Sequence, residues 1–343
     1  MDRVKIGVIG VGRMGRNHCR VYSNLRRAEL VGVTDAMPEV GRQVAQQYDV
    51  PFYNQLDDLL DKVDAVSLVT PTPLHFDLAK HCIERGVHVL IEKPITETLE
   101  QAETLTQMAE TSDLVIQVGH IERFNSAYVE LKNVLKGMTI LAVNMRRLSA
   151  YESSNKDVNV VLDLMIHDID LALDLIDQPP ASINAHGLTT LSNVVDHASV
   201  QMSFQAGPLL TMTSSRVTEH KIRTIEVTAL EAFLECDLLD KNIYVHRRTK
   251  GEFQNHNSRG FKYRQESIVE RIHVPVFEPL FLELQHFVDC IVDNQPPQVS
   301  ARDGLQALRM ATLIQDHIDD HLLHIDASGS EMAMNKNGVP VSG

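Results

Sequence analysis

Short apolar runs alternate with amphipathic stretches from the first residues onward. Val4–Ile9 and residues 30–34, 65–69, 87–91 and 114–118 read as strands, with segments of helical periodicity between them. Strands written as unbroken apolar runs are buried on both faces, so this alternation predicts βαβ units and a doubly wound, mostly parallel sheet. Further on the pattern changes. Residues 182–190, 198–204, 209–216, 224–228 and 232–237 alternate, with a turn signal at residues 205–208, and predict a second, α+β domain with an open, mostly antiparallel sheet. Residues 160–177 are apolar around most of the circumference and predict one long helix between the two patterns. The expected division is 1–122, then 123–325 including the C-terminal helices, then 326–343, small, polar and aperiodic, as a disordered tail.

The first strand runs into Gly10-Val11-Gly12-Arg13-Met14-Gly15, a G-x-G-x-x-G between strand and helix. In that context Gly10 permits a tight turn, Gly12 lets backbone approach a pyrophosphate, and Gly15 lets helix pack on strand, as in the Rossmann dinucleotide fold. The second strand ends at Asp35, twenty residues after Gly15, where a carboxylate accepts hydrogen bonds from ribose hydroxyls. NAD is therefore expected over NADP, because a 2′-phosphate would meet a like charge and Ala36-Met37-Pro38 supplies no arginine. Residues 69–75, Val69-Thr70-Pro71-Thr72-Pro73-Leu74-His75, form a proline-stiffened turn at the carboxyl edge of the sheet. The run Ile91-Glu92-Lys93-Pro94 sets a lysine at that rim, with its backbone restrained by the proline.

On the long helix Asp163, His167, Asp170, Asp174 and Asp177 fall on one stripe. Asp163 and His167, at i and i+4, can hydrogen-bond, the arrangement in which a carboxylate orients an imidazole as general base. Asp170, Asp174 and Asp177 are expected to be solvated. Arg123, Arg146 and Arg147 are candidate cations for a substrate phosphate, although strand alternation lets at most one of the adjacent pair face a given side. The basic run at residues 259–264 reads as a solvated loop.

A length of 343 residues favours two domains over one core. No apolar run approaches the roughly 18 residues of a membrane span, and the N-terminus enters its first strand with no room for a secretion signal, so a soluble cytoplasmic protein is expected. Cys19, Cys82, Cys236 and Cys290 are too scattered for a metal site or a disulfide framework. The net charge of −14 opposes sequence-independent binding of nucleic acid.

These motifs together, G-x-G-x-M-G, T-P-T-x-x-H, E-K-P, the segment Gly119-His120-Ile121-Glu122-Arg123-Phe124-Asn125 and the D-x-x-x-H of Asp163 and His167, resemble the Gfo/Idh/MocA family of oxidoreductases. The resemblance spans roughly residues 4–320. It implies a nicotinamide cofactor held by Gly10, Gly12, Arg13, Met14, Asp35, Thr70, Thr72, His75, Glu92 and Lys93, with Lys93, Asp163 and His167 catalytic. It further implies a small sugar or nucleotide-sugar substrate and a homodimer or homotetramer built on the open sheet. The run from Asp157 to Asp170 is similar to that of members acting on C3 of UDP-N-acetylglucosamine. Val158-Asn159 departs from the two glycines many members carry before the aspartate, so the backbone entering the helix is expected to differ. The competing readings are an inositol or other polyol dehydrogenase, an NAD-dependent glycosidase, and a dinucleotide-binding regulator without chemistry.

Overall fold

β1 (Val4–Ile9), α1 (Arg13–Tyr22), β2 (Ala28–Thr34), α2 (Pro38–Tyr48), α3 (Leu56–Leu60), β3 (Ala65–Leu68), α4 (His75–Glu84), β4 (His88–Glu92), α5 (Leu99–Glu110) and β5 (Ile116–Gly119) follow one another through the first third of the chain. The five strands form one parallel sheet in the order β2-β1-β3-β4-β5. Ile6, Val8, Leu68, Leu90 and Ile91 have no more than trace exposure, which explains why these strands read as continuous apolar runs. β1 lies between β2 and β3, so the chain order reverses beside it and opens a crevice at the carboxyl ends of β1 and β3. The structure is a computed structural model that describes residues 3–151, 157–205, 207–247, 252–255, 261–264, 268–320, 323–325 and 331–332.

Then come α6 (Ser126–Leu135), β6 (Ile140–Leu148), α7 (Ile166–Ile176), β7 (Ser182–Thr189), β8 (His197–Ser203), β9 (Leu209–Ser215), β10 (Ile222–Ala229), β11 (Ala232–Asp237) and β12 (Asn242–Arg247). A hairpin of β13 (Glu252–Asn255) and β14 (Phe261–Arg264) precedes β15 (Ile268–Ile272). The basic run is thus strand over Phe261–Arg264 rather than loop, and residues 259–260 lie outside the described residues. The large sheet runs β15-β12-β11-β10-β6-β9-β8-β7, antiparallel except where β6 meets β9. Its far edge is extended by β16 (Leu323–Ile325) and β17 (Glu331–Met332). The expected tail is therefore strand at Glu331–Met332, and residues 326–330 and 333–343 lie outside the described residues. Val143, Met145 and Arg147 of β6 are buried on the face that carries α7, while Asn144 and Arg146 point the other way.

The chain divides into two units, Met1–Phe124 with Phe277–Met310, and Asn125–Val276 with Ala311–Gly343. This corrects the expectation that residues 123–325 form one body. α8 (Pro279–Asp293) buries Leu280, Leu284, Phe287 and Val288, spaced along one helical face, in the same core as Val4, Ile6 and Tyr22. Periodicity shows that a helix has an inward face; it does not show which core that face meets. α9 (Ala301–Asp319) starts at a reciprocal cap in which Asp303 accepts from the Ser300 amide (2.7 Å) and the Ser300 hydroxyl accepts from the Asp303 amide (3.3 Å). Among the described residues no helix is long and apolar enough to cross a membrane.

Candidate functional site

The glycine loop of the first unit has the shape a pyrophosphate needs. Gly10 has φ +85°, and a Cβ there would lie 2.5 Å from the Val69 carbonyl oxygen. A Cβ on Gly15 would overlap the Gly10 carbonyl, which sets how closely α1 approaches β1. Beside Gly12, by contrast, nothing lies within 4 Å, so the missing side chain leaves open space at the N-terminus of α1. Arg13 is exposed and Met14 half-buried in the first turn of that helix. Asp35 ties the loop to the end of β2: one carboxylate oxygen accepts from the Val11 amide (2.7 Å) and the other from the Met37 amide (2.8 Å). The residues present fit a dinucleotide.

Across the crevice Thr70 has a buried hydroxyl oxygen without a hydrogen-bond partner, and Thr72 begins a short 3-10 turn. His75 is buried, with Nδ1 2.9 Å from the Pro94 carbonyl and Nε2 2.9 Å from the Thr70 carbonyl. Through these two contacts it ties Pro94 to Thr70 at the rim. Glu92 is similarly turned inward: one oxygen lies 3.2 Å from Nε2 of buried His18 and the other accepts from the Lys93 amide (3.1 Å). Burial pushes the Glu92 carboxyl up, but the His18 hydrogen bond and charge and the nearby Lys93 charge outweigh it and hold it below the usual range. Lys93 is half-buried at the end of β4, joined to Pro94 by a cis peptide.

In the second unit the expected long helix begins as a π-helix, Val161–Met165, and becomes α7 at Ile166. At the departure from the glycine pair, the Asn159 side chain accepts from the Val161 amide (2.8 Å) and the Val158 carbonyl accepts from Arg216. Arg216, 2% exposed, also brings its guanidinium within 3.6 Å of the Asp163 carboxylate. His167 is half-buried in the first turn of α7. The rest of the stripe is not simply solvated. Asp170 is buried, and Asp174 accepts from Tyr128 and from Lys132 (2.6 Å); only Asp177, the left-handed cap, is exposed.

The three candidate substrate arginines differ in their settings. Arg147 is buried and donates to Asp168 through Nε (3.0 Å) and Nη2 (2.7 Å), because a cation on the helix-facing side of the sheet requires a carboxylate partner. Arg146 points to the opposite face, and Arg123 is buried with its guanidinium 3.9 Å from Asp303. Two residues passed over in the sequence belong near the functional groups: His18 and Arg216. The signal for His18 was its place three residues after Gly15, one turn along α1 toward the sheet. Arg216 carried no signal, since only tertiary folding brings it to Asp163.

Two family models cover most of the chain. Residues 4–120 match an oxidoreductase family with an NAD-binding Rossmann fold, and residues 140–235 match the GFO/IDH/MocA C-terminal domain. A UDP-N-acetylglucosamine 3-dehydrogenase from Acidithiobacillus ferrooxidans is 30% identical over 94% of this chain and 99% of its own length. A structure of that enzyme superposes with TM-score 0.84 at 29% identity, covering 93% of this chain and 98% of that one. A scyllo-inositol 2-dehydrogenase (NAD(+)) from Bacillus subtilis is 26% identical over 88% of this chain and 90% of its own. A scyllo-inositol dehydrogenase from Lactobacillus casei, solved with NAD(H) and scyllo-inositol, shares the fold at TM-score 0.76 and 22% identity, over 93% of this chain and 98% of that one. With both halves of the chain matched and a relative aligned nearly end to end, this protein is a member of the Gfo/Idh/MocA family of NAD-binding oxidoreductases.

Proposed function

We propose that the protein oxidises a secondary hydroxyl of a nucleotide sugar, C3 of UDP-N-acetylglucosamine, with NAD as acceptor. Nicotinamide, when bound, takes the carbinol hydrogen as hydride. The chain's own groups handle the proton and the oxygen. A ring nitrogen of neutral His167 accepts the hydroxyl proton, Asp163 orients the imidazole, and Lys93 Nζ donates a hydrogen bond to the oxygen as its negative charge grows. Asp163 in turn is steadied by Arg216 at 3.6 Å. The alcohol thus loses one hydride and one proton and becomes a ketone. Gly10, Gly12 and the N-terminal turn of α1, with Arg13 and Met14, hold the pyrophosphate; Thr70 and Thr72 border it; Asp35 selects NAD.

The observation that carries the substrate is the end-to-end similarity to a UDP-N-acetylglucosamine 3-dehydrogenase. The three arginines first considered for the diphosphate lend it no support, since two are buried beside carboxylates and the third lies on the other face of the sheet. Retention of Lys93, Asp163 and His167 together favours an enzyme over a dinucleotide-binding regulator, which needs only the glycine loop. The test is a substrate panel followed by the absorbance of reduced nicotinamide, with products weighed by mass spectrometry. UDP-N-acetylglucosamine should reduce NAD and lose two mass units per turnover. Oxidation of free scyllo- or myo-inositol with none of the UDP-sugar would replace this reading with the polyol one; cleavage of a glycosidic bond would replace it with the glycosidase one.

A further inference from the structure

β4 ends in a buried pair of ionisable groups that the proposed chemistry does not use. His18 is 0% exposed on α1, and the Glu92 side chain it meets is 14% exposed. The carboxylate lies over β5 at Gly119, where a Cβ would come within 3.1 Å of Glu92 Cα and 3.2 Å of its Cδ and Oε2, so a side chain there would press on the carboxylate. Its two oxygens are divided. One meets His18 Nε2 at 3.2 Å and the other accepts the Lys93 amide at 3.1 Å. Lys93 is the first residue past β4, in a bend, and its amide there is met by the Glu92 carboxylate. On the far side of Lys93, the Pro94 carbonyl is held by buried His75, which also holds Thr70. A buried carboxylate is costly unless paired, and apolar packing would stabilise the same contact more cheaply. The pair therefore has to be explained by what it orders.

We propose that His18 is a positioning residue for Lys93, acting through Glu92. This rests on the reading of Lys93 as the group that meets the reacting oxygen. His18 fixes the Glu92 carboxylate, the carboxylate fixes the Lys93 amide, and the amide sets the direction in which the lysine side chain leaves the strand.

The test combines amide hydrogen exchange with a double-mutant cycle on the full-length protein. In His18→Ala and in the near-isosteric Glu92→Gln, exchange should quicken in the peptide covering residues 88–96, while peptides from the second unit are unchanged. With UDP-N-acetylglucosamine and NAD, kcat should fall about tenfold to a hundredfold, the usual cost of a small displacement of a catalytic group. In His18→Ala NAD affinity should stay within about twofold. His18→Gln, whose amide nitrogen takes the place of Nε2, should recover most of the loss, whereas the shorter His18→Asn should not. In a Lys93→Met background His18→Ala should cost little more, because the group it positions is gone. Full multiplication of the two defects would overturn the proposal, as would unchanged exchange at 88–96 in Glu92→Gln. If Lys93→Met kept normal turnover, the role of Lys93 would fail and this inference with it. A collapse in Lys93→Met beside normal turnover in His18→Ala and Glu92→Gln would remove the inference alone. Should the UDP-sugar not be turned over, the exchange comparison decides.

Discussion

Asp35 holds the Val11 and Met37 amides, so its carboxylate shapes the loop in addition to the ribose contact proposed for it. A 2′-phosphate there meets a fixed negative charge, and NAD should bind at least about tenfold tighter than NADP, a difference of about 1.4 kcal/mol. Calorimetric titration of both cofactors measures it. Asp35→Ser should narrow the ratio and weaken NAD too, because the Val11 amide loses its acceptor; equal affinities in the unaltered protein would remove the role. For the chemistry, His167→Ala and Lys93→Ala should each lower kcat by about a hundredfold with NAD affinity nearly kept. Normal turnover and an unchanged pH profile in His167→Ala would rule out the general base. At this scale the sequence was readable where a motif fixes both residue and context, as at the tight turn of Gly10. It was not readable at Arg216 and Arg147, since a buried ion needs a partner and the partner is far along the chain. His75 shows a third case, a motif residue whose place in the chain was legible while its carbonyl partners at Pro94 and Thr70 were not.

Strand periods survived folding almost unchanged, because alternation and apolar runs report burial directly: the expected 182–190 and 209–216 are β7 and β9 within a residue. The winding of the segment before α7 was not legible, since Val161–Met165 has ordinary helical composition and its π turn depends on surrounding contacts. One such contact starts in the turn before β8. Asp196 is buried and accepts from the amides of Thr190 (3.0 Å), Leu191 (2.8 Å) and Ser192 (3.0 Å), while its own carbonyl accepts from the Arg216 amide (2.9 Å). The turn thus helps place the arginine that meets Asp163. Burial raises the Asp196 carboxyl, but the Ser192 hydroxyl and the three amides outweigh it and bring it below 3.8. A depressed carboxylate stabilises the fold at pH above its unfolded value, and that contribution disappears as pH falls through the folded value. Asp196→Ala should cost about 3 kcal/mol near neutrality, the scale of lost hydrogen bonds to a charged acceptor. Urea melts at pH 7 and at pH 3 should show the gap between variant and parent shrinking in acid; a gap that held constant would mean the cost is packing alone.

The second unit carries a sheet whose two faces differ, and the difference bears on the whole molecule. One face is covered by α6 and α7, through the Cys236 contact to the Ala127 carbonyl and the Arg147–Asp168 pair. On the other face β11 and β12 present Phe233 at 37% and Tyr244 at 36% exposure, next to Glu235 and His246 paired at 2.7 Å, with the rings of Phe233 and His246 5.8 Å apart. Large rings with polar neighbours on an open sheet are the composition of an interface rim and core more than of a solvated surface. Strand alternation announced this face in the sequence, whereas the return of α8 to the first unit was hidden, since chain order does not say which core a distant helix joins. The proposed occupant of the face is a second copy of the chain, giving a dimer or, as a dimer of dimers, a tetramer, because a sheet face paired about a two-fold axis buries the same residues on both sides. Sedimentation at micromolar concentration should show that assembly, and Phe233→Lys with Tyr244→Lys should shift it to monomer while the far-ultraviolet spectrum is kept. Lysines fit this test because the strand stays intact when an outward side chain is exchanged, yet two like charges brought together across a two-fold axis oppose association. A monomer in the unaltered protein, or an assembly indifferent to both substitutions, would place the contact elsewhere and leave this face to solvent.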